Sequence, residues 1–111
     1  MTDGTGMPYH VYVIQLDDEV KRFRKFREAN PDLDPGYPCF YVGQTHLTPE
    51  ERFAKHKSGR KAGKYVYRYG LHLVPAMYDH VNPIETRERA EEVERHLTAY
   101  LRRHGYGVWS N

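Results

Sequence analysis

Tyr41-Val42-Gly43-Gln44-Thr45, followed by Thr48-Pro49-Glu50-Glu51-Arg52-Phe53-Ala54-Lys55-His56-Lys57-Ser58-Gly59, is the stretch that decides the fold. It reads as a strand that runs into a helix. Thr48 caps the helix, Pro49 suits its first position, Glu51 closes a capping box and Gly59 ends it. Arg52 and His56 stand four positions apart, so the helix presents a guanidinium and an imidazole on one face. Gly43 lets backbone or ligand come close where a side chain would block. With Tyr41 on the strand, a phenol, a cation and an imidazole are aimed at one place, a set able to bind and cleave a phosphodiester.

Outward from this block, Tyr9 to Leu16 is rich in β-branched and aromatic residues and predicts a buried strand. Asp17 to Glu28 opens with acids and continues with bases, with Val20, Phe23 and Phe26 at helical spacing, and predicts a helix. Asn30-Pro31, Asp34-Pro35-Gly36 and Pro38 make a loop. Lys64 to Tyr69 reads as either a short helix or a strand. Leu71 to Val81 is strand-like, although Pro75 lacks a ladder donor and implies an edge or a bulge. Thr86 to His104 predicts the longest helix, with Ala90, Val93, Leu97, Tyr100, Leu101 and His104 as its apolar stripe. Gly105 and Gly107 stop it, and the Tyr106, Val108, Trp109 tail is free to dock back on the core.

The 111 residues have room for one domain. No apolar run is long enough for a membrane span, and Met1 to Pro8 lacks the charge and apolar stretch of a signal peptide. Cys39 stands alone, which fits a reducing compartment and a cytoplasmic location. The net charge of +2 says little about partners, but its distribution says more. From Arg52 to Tyr78 there is no acid, while Arg52, Lys55, Lys57, Arg60, Lys61, Lys64 and Arg68 supply seven cations. Phe53, Tyr65, Tyr67, Tyr69 and Tyr78 are interleaved with them, a composition suited to phosphates and stacked bases. The plainer alternative is a solvated basic face whose tyrosines pack in the core.

One acid stands out. Advancing ~100° per residue puts Glu94 ~20° beyond the stripe edge set by Leu101, whereas Glu91 lies ~80° past it. A carboxylate at a core boundary needs a base, a hydrogen-bond donor or a metal ion. A salt bridge to Arg87 or Arg52 is the plain reading; a hard oxygen ligand for Mg²⁺ is the sharper one. A zinc site is rejected, because His72 and His80, or His96 and His104, lack tight ligand spacing and Cys39 is remote. Cys39 has no nucleophile motif around it, and no glycine loop for nucleoside triphosphates is present.

Taken together, these residues resemble the GIY-YIG nuclease family. His10-Val11-Tyr12 stands at the first motif, with His in place of the usual Gly, and Tyr41-Val42-Gly43 matches the second. Arg52 and His56 match the family's first helix, Glu94 its metal-binding glutamate and Asn111 its closing asparagine. Tyr12 and Tyr41 lie 29 positions apart where the family has a short hairpin.

The resemblance implies a single α/β (α+β) domain over residues 1–111. Its sheet would be small, three-stranded and antiparallel, flanked by helices, with a helix-loop insertion at about 17–38, facing substrate. It implies a metal-dependent endonuclease hydrolysing DNA, with Tyr12, Tyr41, Arg52, His56, Glu94 and Asn111 in the catalytic set. Glu94 would hold Mg²⁺ or Mn²⁺, Arg52 would offset transition-state charge, and Tyr41 would take a proton from the attacking water. Tyr12 and His56 would position water and phosphate; which residue is the base stays open. Duplex or branched DNA would be met by Lys55, Lys57, Arg60, Lys61, Lys64 and Arg68, and by a homodimer or partner protein. The alternative is a non-catalytic nucleic-acid-binding module of the same fold.

Overall fold

The computed structural model describes residues 7–110. Strand β1 (His10–Leu16) has Val11, Tyr12, Val13 and Ile14 all buried, the pattern of a strand covered on both faces. It pairs antiparallel with β2 (Cys39–Thr45), with Tyr12 opposite Gly43 and Ile14 opposite Tyr41. On its other side lies β3 (Gly70–Leu73), also antiparallel. A fourth strand, β4 (Gly107–Ser110), runs parallel to β2, so the order is β3-β1-β2-β4.

The expected three-stranded antiparallel sheet is therefore corrected to a mixed sheet of four. The extra strand is the C-terminal tail, and it is held by a residue far away in sequence. Val108 N donates to the Oδ1 of buried Asn30 at 2.8 Å, and Arg102 Nη2 donates to Val108 O at 2.8 Å. Asn30 ends α1 (Arg24–Ala29), which follows a 3-10 turn over Asp18–Arg22. Val20 and Phe26 are wholly buried. The 17–38 segment is thus built into the core on its inner side, more than a plain appended loop would be.

Helix α2 (Pro49–Lys57) has the capping box its sequence announces: Glu51 N donates to Thr48 Oγ1 at 3.1 Å, and Thr48 N donates to Glu51 Oε1 at 3.0 Å. The ambiguous stretch after it becomes α3 (Val66–Tyr69). The strand expected to reach Val81 ends at Leu73, and 3-10 turns over Pro75–Met77 and Asp79–Val81 replace the rest. Pro75 is where the ladder stops. Asn82 then ties the chain back to β1, accepting from Val11 N at 2.9 Å and donating to Val11 O at 2.7 Å.

Helix α4 (Arg87–Arg103) is rotated from the expected stripe. Ala90, Leu101 and Thr98 are its buried residues, while Tyr100 is 51% exposed and stacks on His104 outside. On a wheel starting at Ala90, Leu101 lies at ~20°, Glu94 at ~40° and Thr98 at ~80°. Glu94 sits inside the buried arc, not beyond its edge.

Candidate functional site

The sheet and α2 bring three polar rings into the core. Tyr12 comes from β1, Tyr41 from β2 and His56 from α2, and each is at most 2% exposed. His56 Nε2 lies 2.8 Å from Tyr12 Oη, and Gly63 N donates to His56 Nδ1 at 3.0 Å. Because Nδ1 accepts, the neutral ring carries its proton on Nε2 and donates it to the Tyr12 oxygen. Burial, aided by the Arg52 charge, lowers the His56 pKa to about 4, so the ring is neutral at pH 7. Burial pushes the Tyr12 phenol far up, with Tyr41 and Glu94 adding to the effect and Arg52 opposing it. Tyr12 also hydrogen-bonds Tyr41 in a sense that favours its own protonated form. Tyr12 thus joins His56 on one side and Tyr41 on the other.

Two glycines roof these hydroxyls. A Cβ at Gly43 would lie 2.6 Å from Tyr12 Oη, and one at Gly63 would lie 2.5 Å from Tyr41 Oη. The close approach at Gly43 is thus to the chain's own phenol. Gly63 was not singled out by the sequence; its only signal is a small residue inside the basic Lys61-Ala62-Gly63-Lys64 run.

The charges of Arg52 and Glu94 reach the trio. Arg52 is half-buried and donates from Nη2 to Lys61 O at 3.0 Å, which tethers the 61–63 loop over the rings. Glu94 is half-buried and has no ion pair among the described residues; Arg87, one candidate for it, pairs with Glu91 instead. Burial and the neighbouring Glu91 charge raise the Glu94 pKa to about 7, only partly countered by Arg95. Both residues act on the Tyr12 phenol, Arg52 favouring its ionisation and Glu94 opposing it. Tyr12, Tyr41 and His56 from β1, β2 and α2 are in ring contact, and the charges of Arg52 on α2 and Glu94 on α4 act on them. Asn111 lies outside the described residues.

The basic residues divide. Lys57 donates to Tyr67 O and Gly70 O, both at 2.9 Å, and so ties α2 to α3 and β3. Lys64 lies over the rings of Tyr65 and Trp109. Lys55, Lys61, Arg60 and Arg68 are exposed, and the first two line a cavity with Arg52. Of the interleaved rings, Tyr78 is buried and Tyr65 packs on Phe23, Phe26 and Trp109, whereas Tyr67 is 58% exposed. The plainer reading holds for Tyr65 and Tyr78.

Among the described residues no group of three or more His, Cys, Asp or Glu side chains could hold a metal ion. A half-buried carboxylate without an ion pair still fits an ion such as Mg²⁺, which takes one or two carboxylates and fills its other positions with water and phosphate. No helix among the described residues is long and apolar enough to cross a membrane. No family model, curated protein or solved structure matches this chain.

Proposed function

We propose that this chain is a metal-dependent endonuclease that hydrolyses DNA phosphodiester bonds with a GIY-YIG-type site. The observation that carries the reading is the convergence of Tyr12, Tyr41, His56, Arg52 and Glu94 from four elements separated in sequence. Glu94 would hold Mg²⁺ or Mn²⁺, which when bound supplies Lewis-acid polarisation of a phosphoryl oxygen. Arg52 offsets charge developing on the phosphate, a role its rigid planar cation suits.

The hydrogen-bond chain bears on the base. His56 has one nitrogen accepting from Gly63 and the other donating to Tyr12, so neither is open to a proton. Tyr12 is strongly disfavoured as an anion, chiefly by its burial. Within the trio that leaves Tyr41 for the proton-accepting role, and a hydrogen bond donated by the Tyr12 hydroxyl would stabilise its phenolate. Tyr12 and His56 are positioning residues.

A second reading is favoured by burial. The Tyr41 ring is 2% exposed beneath Gly63, which keeps water from it in this conformation. A nucleic-acid-binding module of the same fold, without turnover, is consistent with that. A plasmid-nicking assay with Mg²⁺ separates the two. Metal-dependent nicking that is lost in Glu94→Ala and in Arg52→Ala supports the enzyme; tight DNA binding without nicking supports the module.

A further inference from the structure

Two cavities, one lined by Arg52 and the other by Glu94, share Gln44 and Arg87 in their walls and so adjoin at these two side chains, as the two ends of a groove would. One end, about 360 Å³, is lined by Arg52, Lys55 and Lys61 and by no carboxylate. The other, about 340 Å³, is lined by Glu91, Glu94 and Arg95. The groove is cationic at one end and carries the candidate metal ligand at the other. Its junction is built from two hydrogen-bond donors.

Arg87 is the first residue of α4, at the positive end of the helix dipole, where a cation is disfavoured. Its side chain is 65% exposed and is held by Glu91 at 3.1 Å, an exposed pair that contributes little to stability. Folding gives no reason for a guanidinium here. Gln44 follows Gly43 on β2, and its Oε1 is buried without a partner. That leaves the amide N–H₂ as the part of the side chain able to serve the groove. The same helical turn offers an internal comparison. Arg89 and Glu92 form a second pair of the same chemistry, yet neither lines this groove. Arg89 lines a different cavity, beside Pro83 and Ile84.

We propose that Arg87 and Gln44 are a phosphate-positioning pair at the junction, and that Glu91 holds Arg87 until a nucleic-acid phosphate displaces it. The inference rests on the nucleic-acid reading of the site and deepens it. The ligand is a phosphodiester strand lying along the groove, with one phosphate at Arg87 and the strand continuing towards Lys55 and Lys61. A guanidinium exchanges a solvated carboxylate for a phosphate readily, because both accept its forked donors.

The test is fluorescence anisotropy with a labelled DNA oligonucleotide, single-stranded and as a duplex, in EDTA so that nothing is cut. Affinity is measured from ~50 to ~200 mM salt for the wild type and matched variants. Arg87→Ala should weaken binding several-fold and reduce the slope of log affinity against log salt by about 0.7–0.9, the value of one phosphate contact. Arg89→Ala, which removes the same charge ~200° further round the helix and outside the groove, should leave the slope unchanged. Glu91→Gln should tighten binding more than Glu92→Gln does, and Gln44→Leu should weaken binding without changing the slope. Equal slopes for Arg87→Ala and Arg89→Ala, or equal gains for Glu91→Gln and Glu92→Gln, overturn the inference and leave the nucleic-acid reading standing. No binding of either oligonucleotide by the wild type overturns both. The predicted differences in a protein that never cuts DNA sustain this inference and remove the nuclease reading alone.

Discussion

Gly43→Ala tests the packing of the site most sharply. Gly43 is the β2 partner of Tyr12, and an added methyl would lie 2.6 Å from Tyr12 Oη and 2.7 Å from Cζ. Ordinary contact begins near 3.4 Å, so the ring or the strand must yield by about 0.8 Å. Tyr12 is 1% exposed and bonded to His56 at 2.8 Å, so it has nowhere to retreat. Overpacking of this kind costs ~1–3 kcal/mol, and losing the buried hydrogen bond adds about 1 kcal/mol. For a chain of this size, that total corresponds to a fall in Tm of roughly 8–20 °C. Thermal unfolding followed by circular dichroism reads it directly. Gly36→Ala is the control, since its Cβ would meet only Asp34 Oδ1 at 3.5 Å on an exposed turn. The control should stay within about 0.5 kcal/mol of the wild type. A Gly43→Ala protein that also stays within that margin, with the His56 ring still protonated on Nε2 by nitrogen NMR, would show that Tyr12 is not tightly packed under Gly43.

Other outcomes follow from the same contacts. Asn30→Ala removes an amide that donates to Phe26 O at 2.7 Å and accepts from Val108 N and Arg102 Nε, and it should cost at least ~2 kcal/mol in urea unfolding. In EDTA, Glu94→Gln should be more stable than the wild type at pH 8 and no different at pH 4. The sign follows from the raised folded pKa of about 7: the folded state holds more protons, so wild-type stability falls as pH rises from about 4.5 through 7. His56 acts in the opposite sense. Its folded pKa of about 4 lies below the ordinary 6.5, so stability is lost as pH falls from 6.5 through 4. A His56→Gln protein should show a shallower loss in that window, measured by denaturant midpoints across pH.

What could be read in the sequence was local. Helix α2 is announced by Thr48, Pro49 and Glu51, all of which act within one turn, and it forms as read. β1 and β2 carry their own β-branched and aromatic residues. The fourth strand could not be read, because its four residues, Gly107–Ser110, are ordered by Asn30, 78 positions before Val108. The rotation of α4 escaped for a related reason: Tyr100 counts as apolar on a wheel but stacks on His104, while Thr98 goes inside. For the site, spacing placed Arg52 and His56 on one face, yet they do different things. His56 is sealed in the core on Tyr12, and Arg52 reaches the Lys61 carbonyl. Charge alone could not show that Lys57 is tied to two carbonyls, or that Gln44 and Arg87 join two cavities.

A crystal structure with Mn²⁺ and a short DNA duplex would show whether Glu94 and Arg52 act on one phosphate. The expected result is one ion bound through the Glu94 carboxylate, with a backbone phosphate between that ion and the Arg52 guanidinium. An ion and phosphate bound elsewhere, with Glu94 contacting neither, would contradict it.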